Sequence, residues 1–173
     1  VCLITGASGG IGEAIARKLA GLGASLILTG RNGAKLSELL ESLPGRHTVA
    51  CADITTAEGQ AEIRRLAAEA DILIENFKPG GLAKYGLDYA SLKDEFPRLV
   101  YCSISGYGQT GPNNHRPGYD LVAQGFSGIM SLTGDPEGQP VKVGTGIADV
   151  MCGMYACIGI LAALRHQEKT GEG

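Results

Sequence analysis

Residues 1–12 read VCLITGASGGIG, and this stretch decides the fold. Val1 to Thr5 is a short apolar run that ends at a glycine, the mark of a buried strand. Ile11, Ile15, Leu19 and Leu22 then recur at helical spacing, and Gly23 closes the helix as a C-cap would. Between strand and helix lies Gly6-Ala7-Ser8-Gly9-Gly10-Ile11-Gly12. Gly6 permits a tight turn, Gly10 lets a phosphate approach the backbone, and Gly12 lets helix and strand pack closely. The helix start then offers free N–H groups and partial positive charge to an anion. Ser8 and Ile11 belong to the same loop, and Arg31 follows the second strand, where a ribose phosphate would sit.

Outward from that unit the alternation continues. Ser25 to Thr29 reads as a second strand, and Leu36, Leu39, Leu40 and Leu43 mark a helix closed by Pro44-Gly45. Thr48 to Ala52 is a third strand, and residues 57–69 a helix with Ile63 and Leu66 inward. Asp71 to Glu75 and Leu99 to Ser103 are the fourth and fifth strands, with a short helix near 89–95 between them. Helices are expected over 119–130 and 147–166, with a strand at Val141 to Val143 between them. The second of these helices carries Ile147, Val150, Met151, Met154, Ile158 and Leu161 on one face. Strands alternating with helices predict an α/β fold: a Rossmann-like, doubly wound, mainly parallel sheet with helices on both faces. Gly106 to Gly118 is the one long loop, and loops of that length are often functional.

Composition narrows the function. The chain has 173 residues, 44% hydrophobic and 19% charged, the balance of a globular domain. Its net charge of -3, with both signs interspersed, argues against nucleic acid or a membrane surface as a partner. No uninterrupted apolar run reaches the roughly 18 residues of a membrane span. Five cysteines form no C-x-x-C pair, so neither a zinc site nor a redox motif is expected, and reduced thiols suit a cytoplasmic setting. His47, His115 and His166 stand far apart, and no metal site is assigned. Both ends read as cut, the first inside a strand and the second just after a helix.

Thr-Gly-x-x-x-Gly-x-Gly at 5–12 closely resembles the start of the short-chain dehydrogenases/reductases. The resemblance implies NADP as a ligand, with Arg31 looking like a preference for the phosphorylated cofactor and Asp53 like the aspartate that touches adenine. It stops after the third strand. Glu75-Asn76-Phe77-Lys78 replaces that family's Asn-Asn-Ala-Gly. Tyr89-Ala-Ser-Leu-Lys93 has the spacing of its tyrosine–lysine pair, but lies too soon after the fourth strand and lacks an upstream serine.

From Thr55 onward a different set of motifs follows in order: Asp71-Ile-Leu-Ile-Glu-Asn-Phe-Lys-Pro-Gly80, Tyr85-Gly-Leu-Asp-Tyr89, Ser105-Gly-Tyr-Gly-Gln-Thr-Gly-Pro112, Arg116-Pro-Gly-Tyr-Asp120 and Ser131-Leu-Thr-Gly134. These resemble the family III CoA-transferases, the class of formyl-CoA, carnitine and dicarboxylate CoA-transferases. The reading is therefore one Rossmann-like domain over 1–173, apparently truncated, with a dehydrogenase-like segment at 1–54 and a CoA-transferase segment at 55–173.

The resemblance implies an acyl-CoA and a small carboxylic acid as partners, coenzyme A as the carried group, no metal, and homodimers in the full-length family. It makes Asp149 the nucleophile that attacks an acyl-CoA thioester, through aspartyl anhydride and thioester intermediates. Taken alone, an aspartate at the start of a helix reads first as a cap, although that position also favours an ionised carboxylate. Asn76, Phe77 and Lys78 match the family's CoA contact after the fourth strand. Lys84 matches a basic residue at the nucleotide phosphates, and Arg116 to Tyr119 the loop beside the pantetheine end. Tyr119, where related racemases carry a histidine, argues for transfer over racemisation. Read singly, Lys78 and Lys84 are equally surface charges and Phe77 equally core. An NADP-dependent reductase and a catalytically incomplete nucleotide-binding fragment stand as the alternatives.

Overall fold

Successive side chains of a strand leave opposite faces of a sheet, and in the central strands both faces are buried. In the computed structural model, Cys2 and Ile4 of β1 (Cys2–Thr5) face one side with Leu26 and Leu28 of β2 (Leu26–Gly30). Leu3 and Ile27 face the other. The structure describes residues 1–173; at Gly10 and Ile11, two members of the expected phosphate loop, it describes the backbone alone.

The first face is covered by α1 (Gly10–Gly21) and α2 (Gly33–Ser42), which bury Ala16, Ala20, Leu36 and Leu39. The second is covered by α3 (Ala57–Ala67) and the short α4 (Tyr89–Leu92), through Leu66, Ala67 and Leu92. With β3 (Thr48–Cys51), β4 (Ile72–Glu75) and β5 (Val100–Ser103), the sheet has five strands in the order β3-β2-β1-β4-β5. All four pairings are parallel. This is the expected doubly wound α/β fold. Its strand order reverses between β1 and β4, so a crevice opens at the carboxyl ends of those two strands.

The C-terminal third departs from expectation in three places. Residues 141–143 carry no strand pairing. The helix expected over 119–130 is α5 (Asp120–Phe126) followed by a 3-10 turn (Ile129–Leu132), because Gly128 takes a left-handed φ of 82° between them. The last helix, α6, runs Ile147–Thr170, and Val150, Met154, Ile158 and Leu161 on the predicted face are exposed. By length and composition α6 can cross a bilayer, and none of its apolar window is buried. The expectation of no such segment rested on uninterrupted runs, and Asp149 interrupts this one in its first turn. A helix apolar all round is the pattern of one enclosed by protein or lipid.

Candidate functional site

The glycine loop is shaped by two close approaches. Gly6 has φ +67°, a left-handed conformation that favours glycine. A Cβ on Gly12 would come within 2.4 Å of the Gly6 carbonyl oxygen and 2.9 Å of the Ala7 Cα. Only a bare backbone lets α1 start this near the end of β1. Ser8 lies over the end of β2, with its Oγ 3.0 Å from where a Cβ on Gly30 would stand.

Above this loop, at the strand carboxyl ends, is a cavity of about 710 Å³. Gly6 and Ser8 line it from the loop, Arg31 from the end of β2, Asp53 from the segment after β3, Phe77 and Lys78 from the turn after β4, and Lys84 from a 3-10 turn (Ala83–Tyr85). Residues as distant in sequence as Arg31 and Lys84 thus share one wall-to-wall space. Three cations face it against one carboxylate. That carboxylate is engaged: Asp53 Oδ1 accepts the Thr55 N–H at 2.9 Å and the Thr55 hydroxyl at 2.8 Å. Those two hydrogen bonds hold the Asp53 carboxyl below its ordinary range, with the nearby Arg31 charge adding to them. The cavity's balance therefore favours an anion with several charges, such as a phosphorylated nucleotide.

Thr29, Asn32 and Tyr85 also line the cavity and were not singled out from sequence. The buried Thr29 hydroxyl has no hydrogen-bond partner among the described residues. The Lys84 ammonium lies 4.7 Å from the centre of the Tyr85 ring, a cation–π contact that sets its direction. In sequence, Tyr85 is marked by its place at the head of Tyr85-Gly-Leu-Asp-Tyr89 and by its adjacency to Lys84.

A second cavity, of about 480 Å³, lies on the other side of Phe77. Gly6, Gly12, Glu75, Asn76 and Phe77 line it, with Ile4, Ile15, Ile74 and Ile104 giving it apolar walls. The turn between the cavities is braced from below. Glu75, 6% exposed, accepts the Phe77 N–H at 2.6 Å.

Arg116, Tyr119 and Asp149 line neither cavity. They gather around α5 and α6. The loop from Gly106 to Gly118 closes at its base, where a Cβ on Gly106 would stand 2.2 Å from the Gly118 Cα. Within it the Arg116 guanidinium sits 5.5 Å from the Tyr107 ring centre, and Tyr107 packs edge-on against Phe126. Tyr119 is exposed and occupies the residue before α5, next to Asp120. Asp120 in turn reaches the first turn of α6, where its Oδ1 accepts the Ala148 N–H at 2.8 Å and the Asp149 N–H at 3.3 Å. Capping of α6 thus falls to Asp120. Asp149, in the same first turn, is exposed, and its carboxylate accepts no hydrogen bond and forms no ion pair among the described residues.

The family model for CoA-transferase family III matches residues 41–173. The chain belongs to this family. The succinate–glutarate CoA-transferase of Agrobacterium fabrum is 56% identical over 122 residues, 70% of this chain and 30% of that protein. Human succinyl-CoA:glutarate CoA-transferase is 44% identical over 121 residues, covering 70% of this chain and 28% of that protein. The crystal structure of a CAIB/BAIF family protein from Brucella suis superposes with a TM-score of 0.82 at 39% identity, over 100% of this chain and 50% of the other. The chain thus spans about a third of the curated relatives it matches, and half of that crystallised chain.

These family III matches bear on residues 1–54. The family model begins at residue 41, ahead of the seam expected near Asp53 to Thr55, and the Brucella protein aligns across the whole segment. They give the segment no separate, reductase-like identity and lend no support to NADP as its ligand.

Proposed function

We propose that this chain is the nucleotide-binding and nucleophile-bearing part of a CoA-transferase that moves CoA from an acyl-CoA to a carboxylic acid, with Asp149 as the nucleophile. The observation that carries the reading is the state of Asp149: exposed, its carboxylate without a hydrogen-bond partner among the described residues, and relieved of capping duty by Asp120. Its place in the first turn of α6 favours the ionised form needed for attack.

In this reading an Asp149 carboxylate oxygen attacks the thioester carbonyl and expels CoA thiolate, leaving an acyl-aspartyl anhydride. The thiolate attacks the aspartyl carbonyl, which releases the first acid and forms aspartyl-CoA. The acceptor carboxylate then displaces the thiolate to form a second anhydride. Attack of the thiolate on the acceptor's carbonyl yields the new acyl-CoA and regenerates Asp149. No proton need be moved by the protein, because every nucleophile in the sequence is already an anion.

The large cavity suits the phosphorylated nucleotide end of CoA, with Arg31, Lys78 and Lys84 on its phosphates. Asn76 and Phe77, which also line the second cavity, would lie where the pantetheine arm leaves the nucleotide. Arg116 and Tyr119 would meet the acyl end. Relatives named for succinate, glutarate, L-malate and oxalate make short dicarboxylic acids the favoured acceptors and donors. The exposed apolar surface of α6 favours a homodimer in the longer protein as its cover, and five free thiols favour the cytoplasm.

One observation favours a second reading, a binding unit without turnover: Asp149 lines neither cavity. A single experiment separates the two. The chain is incubated with succinyl-CoA, quenched with hydroxylamine, and mapped by mass spectrometry. A hydroxamate on Asp149, absent from Asp149→Ala, is the expected result. Saturable CoA binding with an unlabelled Asp149 would leave only the binding unit.

A further inference from the structure

Helix α6 starts on Gly146, which has no side chain with which to cap it. Its first free N–H groups are met from another helix. Asp120 Oδ1 takes those of Ala148 and Asp149, the second and third helical positions, which an N-cap side chain ordinarily serves. An acidic residue at the third position commonly folds back onto the cap N–H. Here that bond is not made, and the Asp149 carboxylate has no partner among the described residues.

Asp120 is itself held. Its Oδ2 accepts Gln124 Nε2 at 2.6 Å, one turn further along α5. Gln124 is 1% exposed, one of few buried polar side chains in the core. Its Oε1 accepts the Val143 N–H at 2.8 Å, and its Nε2 lies 3.4 Å from the Thr145 carbonyl oxygen. One buried amide therefore grips both the capping carboxylate and the strap Val143-Gly144-Thr145-Gly146 that delivers the chain into α6. The strap contains two glycines, and no strand pairing orders it. A strap of that kind has many conformations until something selects one. A buried amide with both ends satisfied is suited to that selection, because any other arrangement leaves polar groups unpaired away from water.

We propose that Gln124, acting through Asp120, is the positioning residue for the Asp149 nucleophile. The inference rests on the reading of Asp149 given above. Gln124 touches no reacting atom. It fixes the strap, orients the trans cap, and so sets where the first turn of α6 presents its carboxylate.

The test uses the chain with Gln124→Glu and the pair Gln124→Glu/Asp120→Asn. The single change keeps the acceptor for Val143 but turns the donor facing Asp120 into a second carboxylate. The pair restores complementarity. The amide introduced at position 120 can donate to the carboxylate introduced at position 124, while its oxygen still accepts from Ala148 and Asp149. Two quantities are read: amide hydrogen exchange at residues 148 and 149, and the rate of hydroxylamine-trapped adduct formation with succinyl-CoA. CoA affinity serves as the control.

Gln124→Glu is expected to speed exchange and slow adduct formation about tenfold each, with CoA affinity within about twofold, while the pair returns to within about threefold of wild type. A merely structural role would not give rescue by the second change. Unchanged exchange and labelling in Gln124→Glu, or a pair no better than the single variant, overturns the proposal. Should Gln124→Glu not fold, Asp120→Asn alone, which sets two amide donors against each other, is read by the same criteria. A wild-type chain that never labels at Asp149, yet shows the expected exchange pattern, sinks the nucleophile and the positioning role while leaving the cap.

Discussion

Replacing Gly59 by alanine sets two effects of known size against each other. Gly59 lies in the first turn of α3, where alanine is intrinsically favoured over glycine by up to about 1 kcal/mol. Against this, a Cβ on Gly59 would stand 1.9 Å from the Asp53 carbonyl oxygen, 2.5 Å from its carbon and 2.8 Å from its nitrogen. All three are backbone atoms, so no rotamer relieves the clash. Ordinary contact lies near about 3.5 Å, and the chain must retreat by more than about 1 Å. Overpacking of this kind typically costs about 1–3 kcal/mol. The clash outweighs the propensity, and a net loss of about 1–2 kcal/mol follows, a fall in Tm of roughly 2–8 °C for a chain this long. Asp53 lines the large cavity, so CoA affinity should fall as well. Gly159→Ala in α6 is the internal control, because nothing stands within 4 Å of a Cβ there. It should stabilise by roughly 0.5–1 kcal/mol. Urea denaturation and calorimetric titration with CoA measure both. A Gly59→Ala protein as stable as wild type would refute the close approach and the reasoning built on it.

The remaining expectations concern charge and thiols. Arg31→Ala and Lys84→Ala should each weaken CoA binding by about 1 kcal/mol, roughly fivefold in Kd, and flatten its dependence on salt. Equal affinity in both variants would remove the nucleotide assignment of the large cavity. Burial pushes the Cys2 thiol up from 9.0 to about 11, against the pull of the chain's ammonium terminus. Its neutral form is the one the fold prefers, so its contribution to stability is complete below pH 9 and is lost as pH rises from about 9 to about 11. Alkylation at about pH 8 should therefore modify the exposed Cys152 and Cys157 and spare Cys2 until the chain unfolds. Early modification of Cys2, followed by peptide mapping, would contradict its burial.

Strand and helix order was legible because each element carries its own period. The apolar run at 2–5 and the helical spacing of Ile15 and Leu19 are local signals, and the core they form is the one observed. Residues 141–143 misled because a short apolar run does not reveal whether a partner strand is available to pair with it. The last helix misled for a related reason. Its residues are apolar on every side, so no face could be selected from the pattern, and the apolar face named from spacing is open. At the proposed site, the family resemblance points to Asp149, whereas its position alone suggests a cap. The cap proved to be Asp120, 28 residues earlier in the chain than Ala148, a pairing that no sequence window contains.

The order of residues along the chain determined which segments became strands and helices, where the glycine loop would turn, and which carboxylate begins α6. These depend on side chains a few positions apart. Only the tertiary structure decided that Arg31 and Lys84 share one cavity, that Gln124 buries its amide against the strap before α6, and that Asp120 frees Asp149 from capping. Those are contacts between distant segments, and their energy comes from burying and pairing polar groups that meet only once the sheet and its helices have assembled.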